Sequence, residues 1–323
     1  MRCSPLSKRA ATKFLARLRE ALTRYATGVH DIGDAADPAS IAAAEKRLGI
    51  VLPESMAEVY RFANGMWLFD DVVRLLPLAD VEARDGRLRC GATDGVSLWV
   101  DAEGRVYELD DDGDGVLVGE SIEEDLLARI AREGLLIDDD GEWREVFGPD
   151  GELLPAVQRK RNEIARKRAP TSARWFLEAA ELALELDGDP APYLVEARAL
   201  DPRAPAPAEL HGLLLSGRGE LEAGAAALAD AAAHSGVARQ AERAAIAAES
   251  AQRAGKPEVR ARMAALAIDR EPGIVARFAE EADQALQHGR LEDADRLGSL
   301  ARAVAGDAAV TTRLRLRDKL RPV

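Results

Sequence analysis

The sequence predicts two domains of different class: an α+β domain with an antiparallel sheet and flanking helices, followed by an all-α helical-repeat domain. Three observations support this prediction. Short apolar runs alternate with turn residues between about residues 66 and 154, whereas helical periodicity alone continues from about Thr171. The chain of 323 residues is also long enough to bury two separate cores.

A basic stretch, Arg159–Arg168, separates the two patterns and is followed by Ala169-Pro170. It could be a linker or a charged helix, and we favour a linker because few apolar residues are present to bury. The predicted divisions are therefore an α+β domain over 1–155, a basic linker over 156–170 and a helical-repeat domain over 171–323.

The first domain begins with three predicted helices. Residues 5–27 have an amphipathic pattern that ends at Gly28, and the polar stretch His30–Asp37 is expected to be a loop. The second helix spans Pro38–Gly49. A third follows Pro53 and stops at Asn64-Gly65, two residues that tolerate left-handed backbone angles.

Strand patterns follow this third helix. The predicted strands, with a tight turn before the fourth and an acidic turn before the fifth, are 72–76, 87–90, 96–100, 105–109 and 116–118. Ser121 and Glu124 form a capping box for a helix that runs to about Glu133. A last hairpin is expected around Pro149-Asp150-Gly151, between 143–147 and 152–154.

The order of these elements resembles the SUKH superfamily, the Smi/Knr-type domain of bacterial toxin-immunity proteins and fungal cell-wall regulators. The resemblance covers about residues 35–135 and depends on a set of residues in a fixed order, namely Glu45, Leu48-Gly49, Leu52-Pro53, Tyr60, Asn64-Gly65, the strand before Pro77 and the helix Ser121–Ile130. It implies a compact α+β domain that binds another protein, often a toxin, and performs no known reaction.

The region after Thr171 repeats itself loosely. Glycines at 188, 219, 255 and 289 lie between helical runs at spacings of 31, 36 and 34 residues. A period of about 34 residues is typical of tetratricopeptide-like helix pairs. The aromatic positions of that repeat are occupied here by other residues, so the sequence predicts a solenoid of paired helices that is similar to, but not a clear match for, this family.

Charge is unevenly distributed along the chain. The net charge is −13 overall, with +6 in residues 1–29, −20 in residues 30–155 and +5 in residues 156–169. Such an acidic region repels nucleic acid and anionic membranes and attracts basic proteins. Charges interrupt every apolar run, and no signal peptide or cysteine framework is present, so we expect a cytoplasmic protein without a membrane partner.

Three acidic clusters are the candidate partner-binding residues, together with Trp67. The first, Asp110-Asp111-Asp112-Gly113-Asp114-Gly115, begins like a calcium loop but has Ser121 where the bidentate glutamate belongs, and an exposed turn between strands is the better interpretation. The other candidates are Asp70, Asp71, Asp138, Asp139 and Asp140. We expect solvated carboxylates that bind a basic partner, with Trp67 partly exposed beside them.

No pattern indicates catalysis. The four histidines are scattered, no GxSxG or phosphate-binding glycine loop occurs, and two cysteines cannot form a zinc site. We therefore expect no catalytic residue, no bound metal and no cofactor.

Three function classes remain from the sequence. The leading hypothesis is an immunity-type protein whose acidic domain binds and neutralises a basic protein toxin. The alternative is an intracellular scaffold or regulator that binds proteins through the helical repeat. An enzyme is the weakest hypothesis, because no nucleophile, base and metal occur together. The sequence does not determine the partner, the domain that binds it or the oligomeric state.

Overall fold

Two compact units make up the chain. The structure is a computed structural model that describes residues 5–26, 28–69, 72–93 and 95–306, with side chains from residue 14 onward. The first unit comprises Met1–Asp111 and Gly115–Asp201, and the second comprises Asp112–Asp114 and Pro202–Val323.

An antiparallel sheet of eight strands forms the centre of the first unit. Its strands are β1 (His30–Ile32), β2 (Met66–Leu68), β3 (Val73–Leu75), β4 (Glu82–Arg84), β5 (Arg87–Thr93), β6 (Val96–Val100), β7 (Val106–Leu109) and β8 (Gly115–Gly119). The order across the sheet is β1-β2-β3-β5-β6-β7-β8, and β4 pairs with the free half of β5. The α+β prediction is confirmed.

Alternation of side chains gives the sheet one apolar face. Met66, Leu75, Leu98 and Val106 are buried on that face, whereas paired positions such as Trp67 and Arg74 point to the other. A bulge between Arg89 and Gly91 keeps this alternation in register. Only glycine fits at position 91, because a Cβ atom there would lie 2.2 Å from the carbonyl oxygen of Arg74.

Seven helices complete the first unit. They are α1 (Pro5–Thr23), α2 (Pro38–Leu48), α3 (Glu54–Phe62), α4 (Ile122–Glu133), α5 (Pro155–Arg168), α6 (Ala173–Glu185) and α7 (Ala191–Leu200). The buried side of α1, including Leu18, joins the core with Met56 and Tyr60 of α3 and Leu126 of α4. Burying such side chains stabilises the fold by about 1.5–3 kcal/mol each.

The residues behind the family resemblance have structural roles. Glu45 accepts a hydrogen bond from the backbone N–H of Leu52 at 3.0 Å, which fixes the turn between α2 and α3. Asn64 accepts one from the backbone N–H of Leu78 at 2.8 Å. The buried hydroxyl of Tyr60 donates to the carbonyl oxygen of Leu76 at 2.8 Å. These bonds therefore determine the path of the chain and do not form a site.

A cluster of buried ion pairs joins the sheet to α4 and α6. The guanidinium of Arg129 donates to both Asp125 carboxylate oxygens at 2.8 Å and to Glu108 on β7 at 2.8 Å. Arg174 on α6 reaches the second oxygen of Glu108 at 3.1 Å. Burial raises the pKa of Asp125, whereas the facing guanidinium groups outweigh burial and lower the pKa of Glu108.

The prediction of a linker over residues 156–170 is wrong. Residues 155–168 form α5, which packs on α4 and α6 with Ala165 buried, and Arg161 is paired with Glu133 at 2.6 Å. This strongly basic sequence forms a helix because only a narrow side of the helix has to be buried. The division between compact units consequently falls after Asp201, and α6 and α7 belong to the first unit.

Two smaller expectations also differ. The expected loop His30–Asp37 begins with β1, whose three residues are too short to give an alternating pattern. The expected hairpin over 143–154 is reduced to isolated bridges, Phe147 with Leu153 and Ile137 with Trp143. Among the helices of the described ranges, none is long and apolar enough to cross a membrane.

Six α-helices follow one another in the part of the second unit that the structure describes. They are α8 (Pro205–Gly217), α9 (Leu221–His234), α10 (Val237–Arg253), α11 (Pro257–Arg270), α12 (Ile274–Gln287) and α13 (Leu291–Ala305). Gly219, Gly255 and Gly289 have left-handed backbone angles between the two helices of successive pairs, as the spacing indicated. The last pair departs from simple stacking, because α13 also packs on α10 and α11.

Candidate functional site

A pocket of about 320 Å³ in the first unit is the candidate site. One side is the segment after α1 and the end of β2, and the other is the loop after α4. The residues lining it are Gly28, Val29, Phe69, Val72, Glu133, Leu136, Ile137, Asp140, Gly141 and Trp143. The pocket therefore brings together segments that lie more than 40 residues apart in the sequence.

An aromatic cluster holds the first side of the pocket. Phe69 is buried and has a positive φ of 56°, an unusual angle for a bulky residue. Its ring meets those of Tyr25 and His30 edge to face, at centroid distances of 5.4 and 4.7 Å. Its backbone N–H donates to the carbonyl oxygen of Val29 at 3.2 Å. Packing and hydrogen bonding together maintain this strained conformation.

His30 belongs to this cluster and not to any catalytic pair. Neither ring nitrogen of His30 has a hydrogen-bond partner in the described part of the chain. Burial lowers the pKa of this imidazole, so it is neutral at pH 7. The role of His30 here is packing against Tyr25 and Phe69.

The acidic turn Asp138-Asp139-Asp140 forms the second side. The Asp138 side chain accepts hydrogen bonds from the backbone N–H groups of Asp140 and Glu142, each at 3.0 Å, and so shapes the turn itself. Asp139 and Asp140 are left exposed. Asp139 forms a surface ion pair with Arg24 at 2.7 Å, whereas the Asp140 carboxylate has no ion-pair partner among the residues whose side chains are described.

Two exposed aromatic rings stand beside the acidic turn. Trp143 is 54% exposed and Phe147 is 42% exposed. Their rings meet edge to face with centroids 5.5 Å apart. Large aromatic side chains are enriched at protein-binding surfaces, where they supply much of the binding energy. Such a surface can accept a lysine or arginine side chain by cation–π contact and charge together.

The other predicted binding residues lie elsewhere. Asp70 and Asp71 are outside the described residues, although their neighbours Phe69 and Val72 line the pocket. Trp67 is half-buried on β2, does not line the pocket, and has the Arg74 guanidinium 5.5 Å from its ring centroid. The tryptophan with the greater exposure is therefore Trp143.

Two carboxylates of the acidic turn between β7 and β8 form ion pairs with other residues of the chain. Asp110 is half-buried and Asp111 is exposed. Asp112 and Asp114 belong to the second unit, where Asp112 pairs with Arg239 at 2.5 Å and the buried Asp114 pairs with Arg243.

The prediction of a solvated carboxylate is consequently wrong for Asp114. The second unit buries the Arg243 guanidinium, which requires an anion beside it. Gly236 leaves space for the turn, because a Cβ atom there would lie 2.2 Å from the Asp112 carbonyl oxygen. Its backbone N–H also donates to the Asp114 carboxylate at 2.7 Å.

Groups suited to other chemistry are separated or blocked in the described part of the chain. No group of three or more His, Cys, Asp and Glu side chains that could hold a metal ion occurs among the described residues. Burial raises the pKa of the Cys90 thiol to about 12, so it is not a thiolate nucleophile at pH 7.

Sequence reasoning missed Trp143 and Phe147 as surface residues. A signal was present, because both lie in a charged segment that also contains Glu142, Arg144 and Glu145. An isolated tryptophan in such a segment has few apolar neighbours with which to share a core, and exposure follows from that.

The fold defines an α+β domain that is followed in the sequence by a region of helical hairpins. Comparison with known families finds that the model of the SMI1 / KNR4 family (SUKH-1) matches residues 35–155. The resemblance identified from the sequence is thereby confirmed for this region, and the match does not extend to the helical hairpins. Among curated proteins, none matches the chain.

Proposed function

We propose that this chain is a non-catalytic, immunity-type protein that binds and neutralises a basic protein toxin in the cytoplasm. The family match over residues 35–155 supports an immunity-type domain in general. The observation that carries the specific proposal is the exposed Trp143 together with the exposed Asp140 in the lining of one pocket.

Binding through this pocket follows from ordinary interface physics. The rings of Trp143 and Phe147 provide apolar area that gains energy when water leaves it. The carboxylates of Asp139 and Asp140 supply attraction over a longer range and raise the association rate for a basic partner. The wider region, with a charge of −20 over residues 30–155, adds to the same steering. Of the residues predicted from the sequence, Asp70 and Asp71 remain candidates for this surface.

The test uses the protein encoded by the neighbouring gene as the candidate toxin. Growth rescue is measured when the two proteins are produced together, and affinity is measured by calorimetry at several salt concentrations. We expect Trp143→Ala to weaken binding by about 2–4 kcal/mol and to abolish rescue. Asp140→Asn should mainly lower the association rate and the salt dependence.

Matched variants control for nonspecific effects. Val51 and Asp80 are exposed in the same region and line none of the pocket. Val51→Ala and Asp80→Asn should therefore leave affinity and rescue unchanged. A tight complex that Trp143→Ala and Asp140→Asn leave intact would refute this pocket as the docking site, and rescue without a complex would refute neutralisation by binding.

A second candidate function has one observation in its favour. The second unit contains a groove of about 650 Å³ between α9 and α11, whose floor includes Val259, Met263 and Leu266. A scaffold that holds a peptide in this groove would fit the alternative expected from the helical pairs. Leu266 is half-buried in the same groove, and Leu266→Glu should then abolish partner binding while Trp143→Ala does not, which is the reverse of the result expected for the pocket.

A further inference from the structure

A basic groove between α1, α4 and α5 is a second feature of the first unit. It has a volume of about 800 Å³ and is larger than the candidate pocket. Four cationic side chains line its rim, namely Arg17, Arg24, Lys167 and Arg168. They come from the two basic segments that precede and follow the acidic region, and the first unit brings these segments together.

The described residues supply few carboxylates to this cationic rim. Glu20 is the acidic residue in the lining. Arg24 and Lys167 form exposed ion pairs with Asp139 and Glu163, and such pairs contribute little. Arg17 and Arg168 are exposed and form no ion pair among the residues whose side chains are described. The groove thus presents two exposed guanidinium groups, those of Arg17 and Arg168.

The floor of the groove is apolar. Leu127 and Leu135 are half-buried on and after α4, and Ile164 is half-buried on α5. Deeper in the same floor, Ile130 is buried. An apolar strip bordered by cations has the pattern that amphipathic acidic segments complement, with apolar residues on the strip and carboxylates at the rim.

We infer that this basic groove binds an acidic amphipathic segment of a second protein partner. Charge complementarity selects an acidic partner, and the apolar floor selects a segment with apolar side chains. A nucleic acid satisfies only the cationic rim through its phosphates and leaves the apolar floor uncovered. The inference does not rest on the pocket proposed above, because the two surfaces require partners of opposite charge, although the Arg24–Asp139 ion pair joins their edges.

The direct test is fluorescence polarisation with a labelled synthetic helix of about 16 residues, or about four turns. The probe carries leucine on one side and glutamate on both flanks. One control peptide has lysine in place of glutamate, and another has serine in place of leucine. We expect the full-length protein to bind the probe at least about tenfold more tightly than either control, with affinity that falls as salt rises.

Matched variants locate the binding. Arg17→Glu combined with Arg168→Glu should reduce probe affinity by at least about tenfold. Lys46→Glu combined with Arg296→Glu makes the same charge change at exposed positions outside the groove and should leave affinity unchanged. Ile164→Ser tests the floor separately, and thermal melts of all variants exclude unfolding as the cause. No probe binding, or equal loss in both double variants, would overturn the inference.

Other occupants are distinguished in the same set of experiments. Tighter groove-dependent binding to vesicles containing phosphatidylserine, or to a single-stranded RNA, would overturn the assignment to a protein segment. Light scattering of the wild-type chain and of the Arg17→Glu, Arg168→Glu variant measures self-association. A dimer that only this variant disrupts would identify a second copy of the chain as the occupant and would also overturn it.

Discussion

The two units are stabilised by different kinds of packing. In the first, large side chains such as Tyr60, Met66 and Leu68 meet at a sheet, and charged groups such as Arg129 are buried beside them. In the second, the core consists mainly of alanines, and glycines let helices approach each other closely. Buried ion pairs occur in both units, as Arg243 with Asp114 shows for the second, so the difference lies in the apolar packing: large side chains in the first unit and small residues repeated along helices in the second. Each mechanism predicts a different kind of sensitivity to mutation.

The largest effect is expected when a partner is removed from the buried ion cluster of the first unit. Arg129→Met leaves Glu108 and Asp125 buried with one fewer counter-charge, which costs about 3–5 kcal/mol in unfolding free energy. Urea denaturation followed by tryptophan fluorescence measures this, because Arg129 lies 5.2 Å from the ring centroid of Trp175. Arg84→Met is the control, since the Arg84 side chain is 74% exposed. A loss below about 1 kcal/mol would show that the cluster is not needed for stability.

A smaller loss is expected when side-chain volume is added to the second unit. Gly212 and Gly224 lie at the contact of α8 and α9, where a Cβ at 212 would be 2.7 Å from Leu228 Cγ and one at 224 would be 2.3 Å from Ser216 Oγ. Gly224→Ala should destabilise by about 1–3 kcal/mol. Thermal unfolding measures the change.

Gly217 provides the matched control for this substitution. It is the last residue of α8, the helix that packs on α9 at Gly224, and nothing lies within 4 Å of its added Cβ. Gly217→Ala should therefore be neutral or stabilise by up to about 1 kcal/mol through helix propensity. Equal destabilisation by both alanines would contradict the close-packing explanation.

The contrast between the units also explains what could be predicted from sequence. Helix ends were predictable where local chemistry sets them, as at Ser121, whose hydroxyl accepts from the backbone N–H of Glu124 at 3.2 Å. The helix-pair turns were predictable because Gly219, Gly255 and Gly289 recur at a nearly constant spacing. Both signals are contained in a few consecutive residues or in a simple period.

Features that depend on distant partners could not be predicted. The basic sequence of α5 indicated a linker. The partner of Arg161 is Glu133, which lies 28 residues away, and the sequence gives no sign of this pairing. Asp114 looked like an exposed turn residue because Arg243 lies 129 positions further along the chain. The pocket likewise depends on the approach of Phe69 to Trp143, and their spacing in sequence contains no sign of it. The family resemblance predicted the fold of the first region, but it did not predict which residues form its exposed surface.

The smallest expected effect is a pH-dependent change in the free energy of unfolding. It concerns a carboxyl of the first unit and not its counterpart in the second. Burial, reinforced by the nearby Glu58 carboxylate, raises the pKa of Glu123 on α4 to about 7. A carboxyl whose pKa is higher in the folded state binds more protons when folded, so its contribution to stability is present below about pH 4.5 and lost as pH rises through about 7.

Glu123→Gln removes this loss. At pH 8 the variant should be more stable than wild type by about 1 kcal/mol, a value reduced for the half-exposed carboxyl, and at pH 4.5 the two should be equal. Glu280→Gln on α12 changes an exposed carboxyl of the second unit and should shift neither value. A pH-independent gain in Glu123→Gln would assign the effect to helix packing, whereas a gain confined to high pH requires two carboxyl groups that share one half-buried space between α3 and α4.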